Sequence, residues 1–216
     1  MLRRDIAPRQ HWQALAQEYG FNFHTINGEP YWDESAYYQF TLEQVERDIE
    51  DPTQELHEMC LHVVDEVVQS PALLTDFCIP EAFHEAVHDA WLQRHPSLYS
   101  RLDLVYDGKG PAKLLENNAD TPTSLYESGF WQWLWLEQCV DGGTLPQSAD
   151  QFNSLQEKLI MRFRDIANIH QQKVMHFSCA QDSAEDRGTV QYLQDCAAQA
   201  GLETPFIFID DIGVTE

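Results

Sequence analysis

The sequence is short of basic residues, of paired cysteines and of long apolar runs, and each shortage removes a class of protein. Lysine and arginine number 13 against 36 aspartates and glutamates, a formal charge of -23. Phosphate backbones attract positive surface, so this balance disfavours a nucleic-acid partner and suits small cations. Five cysteines, Cys60, Cys78, Cys139, Cys179 and Cys196, are odd in number, far apart and never spaced C-x-x-C. That argues against a disulfide framework and a closed cysteine zinc site, and for a reducing compartment. No stretch approaches the ~18 uncharged apolar residues of a membrane span, and no apolar run follows the basic start Met1-Leu2-Arg3-Arg4. A cytoplasmic protein without a membrane partner is expected. Internal repeats and low-complexity tracts are lacking too.

What is present suits a folded chain: 216 residues, 43% hydrophobic and 12% aromatic, can bury a core. Residues 1–97 read as a mainly helical region, with Gly20 closing the segment from Trp12 to Tyr19. Thr41-x-x-Gln44 forms a capping box, and Ser70-Pro71 and Ile79-Pro80 act as stops. Tyr31, Trp32, Tyr37, Tyr38 and Phe40 crowd together and read as core. The period then changes: Leu98 to Tyr106 largely alternates, Asp107-Gly108-Lys109-Gly110-Pro111 supplies a turn, and Ala112 to Asn118 returns as a second strand. Ser124-x-x-Glu127 reads as a capping box opening an aromatic helix through Trp131, Trp133 and Trp135, which completes a segment 98–147.

Within 148–216, Ser148-x-x-Gln151 is expected to open a helix towards His170. A strand from Lys173 to Cys179, a helix from Ala184 to Ala200 capped by Gly201, and a strand from Pro205 to Ile212 follow. That order is a βαβ unit. Parallel strands usually sit in a wider sheet, so this one is expected to be incomplete. The fold class is therefore α/β (α+β): a helical N-terminal region, an antiparallel hairpin, and an incomplete βαβ unit.

On a strand, residues two apart share a face. Arg101 and Asp103 point one way, and Glu116 and Asn118 likewise share a side of the returning strand. If the register joins these faces, two carboxylates and an amide oxygen lie beside a guanidinium. Magnesium takes oxygen ligands together with substrate phosphates, and arginine forks onto phosphate oxygens, so the set suits a Mg–nucleotide complex. The same residues could equally form a salt-bridged, solvated hairpin face.

Three segments carry a resemblance: Ser97-Leu98-Tyr99-Ser100-Arg101-Leu102-Asp103, Leu115-Glu116-Asn117-Asn118-Ala119-Asp120-Thr121-Pro122-Thr123-Ser124, and Tyr31-Trp32-Asp33-Glu34-Ser35-Ala36-Tyr37-Tyr38. Together they resemble the glutathionylspermidine synthase family, in order over essentially all 216 residues. The resemblance implies an ATP-grasp type ligase, in which a peptide carboxylate is activated by ATP as an acyl phosphate and captured by an amine. The hairpin then belongs to an ATP-grasp-like palm and the βαβ unit to a pre-ATP-grasp-like region. Arg101 would contact the transferred phosphoryl group and serve catalysis. Asp103, Glu116 and Asn118 would hold Mg²⁺ and, with Arg101, ATP; Asp120, Thr121 and Ser124 would lie towards substrate. Glutathione-like peptides and polyamine-like amines are the implied partners. Family members are nearly twice as long, so the chain is expected to be an N-terminal fragment, lacking the C-terminal ATP-grasp part and inactive alone.

Two other readings stay open. His84-Glu85-Ala86-Val87-His88 fits H-E-x-x-H, the helical zinc motif of metallohydrolases, with Glu116 as a conceivable third ligand, although Trp91 and Arg94 break the extended form. A non-catalytic binding module is the third. Cys179, at a strand end, is a candidate to meet a thiol substrate or, more simply, a buried structural cysteine.

Overall fold

The computed structural model describes residues 1–120 and 122–213. In chain order the elements are β1 (Leu2–Asp5), α1 (Trp12–Glu18), β2 (Thr25–Ile26), β3 (Glu29–Pro30), β4 (Ala36–Gln39), α2 (Leu42–Val45) and α3 (Asp51–Val68). Then come α4 (Pro71–Asp76), α5 (His84–Leu92), β5 (Arg101–Val105), β6 (Lys113–Asn118), α6 (Gln132–Asp141), α7 (Leu155–His170) and α8 (Ala184–Gln199). Two π-helical segments, Glu46–Glu50 and Glu127–Trp131, lead directly into α3 and α6. Among the described residues no helix is long and apolar enough to cross a membrane. The mixed class expected from the sequence is what the chain forms, but residues 1–97 are not helices alone. β1 pairs with β4, and β2 with β3. Strands of two and four residues are too short to print a period on the sequence.

The chain divides into two compact units, one of residues 1–2 and 40–119, the other of 3–39 and 120–216. In the first, the Thr41 hydroxyl accepts from the Gln44 amide while the Gln44 side chain accepts from the Thr41 amide, the expected capping box. The helices run into β5 and β6, whose turn is tied back to the π-helical segment. Asp48 is 2% exposed, and its carboxylate accepts from the Tyr106 hydroxyl at 2.7 Å and from Arg47 Nε at 3.0 Å. Its carbonyl accepts from the Ala112 amide at 2.7 Å. Both donors hold the Asp48 carboxyl below the usual aspartate range, the Tyr106 hydroxyl most. Gly108 and Gly110 take φ of +88° and +72°, which the turn between the strands requires.

The second unit is built on an aromatic core. Phe21 is fully buried, with Phe23, Trp32, Tyr126 and Trp131 ring centroids 4.7, 5.9, 5.5 and 5.1 Å from its own. Such ring pairs add roughly 0.5–1.5 kcal/mol each beyond their buried area. Beside them lies a buried ion pair: Arg9 donates to Glu34 through Nε at 3.0 Å and to Gln138 Oε1 at 2.8 Å, and its guanidinium sits 5.1 Å from the centre of the Trp131 ring. Trp32 Nε1 donates to the same Glu34 carboxylate at 3.1 Å.

The βαβ unit forms with less regular strands than expected. The Met175 amide donates to Glu203 at 2.8 Å, Phe177 to Pro205 at 2.9 Å, Ile207 to Phe177 at 3.1 Å and Ile209 to Cys179 at 3.1 Å. This is a parallel ladder, registering as bridges at Val174–Glu203 and Phe177–Phe206. Pro205 has no N–H to give, and no other strand flanks the pair among the described residues. Between them α8 is capped by the Ser183 hydroxyl, which accepts from the Asp186 amide at 3.1 Å, and it ends before Gly201 at φ +95°.

One expected helix start forms without its capping box and another is displaced: helical residues begin at Leu125, directly after Ser124, but the box does not close. Ser124 has φ +71° and sits outside N-cap geometry, while the Glu127 side chain turns to Tyr31 instead of reaching back to Ser124. The helix expected from Ser148 begins at Leu155, whose amide is taken by Asn153 Oδ1 at 2.9 Å.

Candidate functional site

The β5–β6 register joins the two polar faces. Arg101 is the partner of Asn118, and Asp103 stands directly opposite Glu116. Leu104 then pairs with Leu114, so Leu115 is an extra residue, 70% exposed and without a partner in the ladder. A bulge of this kind re-aims side chains. Here it lets Leu114 meet Leu104 while Glu116, only two residues on, meets Asp103. Without it one of the two pairings would be out of register.

Arg101 grips its own strand's carboxylate with two bonds, Nε to Asp103 Oδ1 at 2.8 Å and Nη2 to Oδ2 at 3.3 Å. The side chains are 35% and 37% exposed, so this fork is screened and open to exchange with a ligand. Glu116 is exposed, and no hydrogen bond or ion pair of its side chain occurs among the described residues. The face therefore offers one satisfied carboxylate, one unsatisfied carboxylate and the Asn118 amide, with a guanidinium at its edge. Oxygen donors of this kind fit a hard divalent cation.

On the opposite face Asn117, partner of Leu102, keeps its buried Oδ1 without a hydrogen bond. Asp120 is exposed in a bend beyond β6, Thr121 lies outside the described residues, and Ser124 is half-buried in the second unit.

The H-E-x-x-H pair does not assemble a metal centre. His84 Nε2 lies 2.9 Å from the Ile79 carbonyl, and His88 is half-buried beside Asp89. Among the described residues no three His, Cys, Asp or Glu side chains converge on a common point, so Glu116 does not complete the set. Cys179 is buried, and burial pushes its thiol above the usual range, which keeps it neutral.

One cluster escaped the sequence reading. The Tyr31 hydroxyl donates to Glu127 Oε1 at 2.5 Å and lies 3.5 Å from Glu185 Oε1. Burial, chiefly, raises the Glu127 carboxyl above the usual glutamate range, the nearby Glu185 charge adding to the effect and the Tyr31 bond opposing it. Its second oxygen is buried without a partner. The signal in the sequence was a glutamate at the third position of a supposed capping box, and local spacing could not reveal a partner 96 residues away.

Comparison with known proteins matches residues 3–216 to the family model described as glutathionylspermidine synthase preATP-grasp. A Haemophilus influenzae protein named as an acid–amine ligase is 38% identical over 199 residues, covering 90% of this chain and 49% of its own length. The bifunctional glutathionylspermidine synthetase/amidase of Escherichia coli is 30% identical over 195 residues, covering 89% of this chain and 29% of the enzyme. The Shigella flexneri protein of the same name gives the same figures. The chain thus spans about half or less of the length of these relatives.

Proposed function

Because this chain belongs to the glutathionylspermidine synthase preATP-grasp family, we propose that it serves an ATP-dependent acid–amine ligase that joins a glutathione-like peptide carboxylate to a polyamine-like amine through an acyl phosphate. The ladder register carries this reading: Asp103 faces Glu116 and Arg101 faces Asn118, so four residues of the right chemistry share one face. The names of the relatives, acid–amine ligase and glutathionylspermidine synthetase, support it.

Asp103, Glu116 and Asn118 are the residues that would hold Mg²⁺, which when bound neutralises phosphate charge. Arg101 moves its fork from Asp103 to a phosphate oxygen, exchanging one bidentate anion for another. Asp103 is thereby freed to turn its oxygens inward. Glu116, opposite it, would supply a second carboxylate to the same cation, which would offset its repulsion with Asp103. Asp120, Thr121 and Ser124 are assigned to the substrate side.

Transfer of a phosphoryl group needs positive charge around all of its developing anionic oxygens. From β6 onward the lysines are Lys113, Lys158 and Lys173, and no G-x-x-x-x-G-K-[ST] loop occurs in the sequence. The 216 residues by themselves are therefore proposed to bind Mg–nucleotide weakly and to release no ADP. Calorimetric titration with Mg–ATP tests this, comparing the chain with Asp103→Asn and Glu116→Gln. Heat that saturates in the parent and disappears in both variants supports the reading. Equal binding in all three would remove the hairpin from the nucleotide site.

A further inference from the structure

Helix α6 is apolar on two sides, and the core of the second unit accounts for one of them. Leu134 and Cys139 face inward, 6% and 4% exposed. Trp133, Leu136 and Val140 follow a different stripe, spaced three and four residues apart with Glu137 and Asp141 beside them, so all five share one helix face. That face walls an open cleft of about 380 Å³, bounded on its other side by the loop from Ala149 to Asn153 and by Glu157 of α7. The volume falls within the ~300–1,000 Å³ of ligand clefts. Nothing in the ligase reading uses it.

The loop that forms the second wall is fixed in place. Gln147 Nε2 donates to the Val140 carbonyl at 3.2 Å, and the Asn153 side chain donates to the Ser128 carbonyl and accepts from the Leu155 amide at 2.9 Å. These bonds tie the loop to α6, to the π-helical segment before it and to α7, so the cleft is formed before a ligand arrives and costs little ordering. The Trp133 indole, 41% exposed, is steadied by Phe130, ring centroids 6.1 Å apart. Four exposed carboxylates border the cleft, Glu137, Asp141, Asp150 and Glu157, and no basic side chain lines it. Asp150 accepts from the Gln151 amide at 2.8 Å, while Glu137, Asp141 and Glu157 take part in no hydrogen bond or ion pair among the described residues. Among those residues no three acidic, histidine or cysteine side chains converge as a metal site would require. The charges instead stand along the rim on either side of the apolar Leu136, Val140 and Ala149.

A ligand for such a cleft carries separated positive charges with carbon between them. Arginine side chains meet each requirement. The methylene stem covers apolar surface, and the planar, weakly hydrated guanidinium both stacks on an indole and forks onto a carboxylate. The ammonium of lysine is compact and strongly hydrated, and gains less from leaving water at an open rim. From Trp133 to Asp141 the helix advances about 12 Å at ~1.5 Å per residue, the reach of about four extended residues. We propose that this cleft docks an extended, arginine-bearing peptide segment of a partner protein, its guanidinium groups set against Trp133 and the rim carboxylates and its apolar atoms on Leu136 and Val140. The formal charge of -23 draws such a segment towards the chain, and the cleft gives it a place to stay. All of these residues lie in the second unit, so the assignment holds or fails independently of the Mg–nucleotide residues.

An acetylated and amidated tetrapeptide of arginine, leucine, glycine and arginine, titrated calorimetrically into the 216-residue protein at neutral pH, tests it. Saturable binding is expected. The same peptide with citrulline for arginine, equal in shape but uncharged, should bind at least about tenfold more weakly, and the lysine peptide about threefold more weakly. Free arginine amide, with one guanidinium and no peptide, should also be at least about tenfold weaker. Trp133→Ala is expected to weaken the arginine peptide about fivefold or more. Glu137→Gln with Asp141→Asn should do the same. Glu55→Gln with Glu66→Gln removes equal charge from exposed positions of α3 and should change the affinity less than about twofold. Sedimentation should show a monomer throughout. No saturation, equal affinity for the citrulline or lysine peptide, arginine amide binding as tightly as the peptide, or a loss in the α3 pair as large as in the α6 pair would overturn the proposal. Self-association abolished by Trp133→Ala would overturn it too, by giving the cleft to a second copy of the chain.

Discussion

Asp103 and Glu116 stand directly opposite each other across β5 and β6, and of the two Asp103 alone is gripped by the Arg101 guanidinium. Like charges facing across a ladder cost roughly 0.2–1 kcal/mol, and Arg101 offsets part of that cost. Glu116→Gln is therefore expected to stabilise the metal-free protein by about 0.5 kcal/mol. Arg101→Gln should destabilise it, since two carboxylates then face each other unscreened. Mg²⁺ should raise the melting temperature of the parent more than that of Glu116→Gln. Thermal melts in EDTA and in Mg²⁺ check all three, and a Glu116→Gln variant that melts lower than the parent without metal would show that Glu116 has a favourable partner instead.

The Tyr31–Glu127 bond should appear in the pH dependence of stability. Burial raises the folded-state pKa of Glu127 above the unfolded value, so the native protein holds that proton more tightly than the unfolded chain does. Stability then falls as pH rises from the ordinary glutamate range towards the raised folded value, and above it the full penalty applies. Glu127→Gln removes the titration and should flatten this part of the profile. Tyr31→Phe leaves Glu127 Oε1 without its donor and is expected to cost about 1–3 kcal/mol. Urea midpoints across the mildly acidic range check this, and parallel profiles for parent and Glu127→Gln would refute it.

The hairpin and its polar face were legible because the chain alternates through β5 and a glycine-rich turn then brings it back as a second strand. The bulge at Leu115 was not, since the doublet Leu114-Leu115 does not by itself say which of the two pairs across the ladder and which is the extra residue. The helix of the βαβ unit was legible from Gly201 and its apolar spacing, whereas the Ser183 cap went unread. At Ser124 and Glu127 a valid local signal was overridden: the glutamate gains more from a tyrosine hydroxyl across the core than from the helix end.

Arg9 and Glu34 make a buried pair whose side chains are 9% and 0% exposed. Removing one partner leaves an uncompensated charge in the interior, so Glu34→Ala and Arg9→Ala should each cost about 3–5 kcal/mol. Replacing both by apolar residues of similar size, Arg9→Met with Glu34→Leu, should cost far less than the sum. Chemical denaturation of the two single variants and the double replacement measures the difference. Additive losses would mean the two side chains act independently despite their contact.

Gly188 lies inside α8, where alanine would ordinarily be the better residue by about 1 kcal/mol. A Cβ there would overlap Phe23 Cε1 and come within 3.1 Å of its Cζ. Phe23 is 3% exposed and edge-packed on Phe21 at 4.7 Å, so the ring has little room to yield. Overpacking of this kind costs about 1–3 kcal/mol, which exceeds the gain in helix propensity, and Gly188→Ala is expected to destabilise the protein on balance. Phe23→Leu alone should also destabilise, by loss of ring contacts and a partial void. In the double variant the shorter side chain vacates the space that the new methyl enters. The two changes should then be non-additive, the pair costing less than their sum by about 1 kcal/mol or more. Urea unfolding of the four proteins in this cycle gives the coupling directly. A sum that is simply additive would show that α8 shifts to relieve the overlap, and that the glycine is not there to let Phe23 close against the helix.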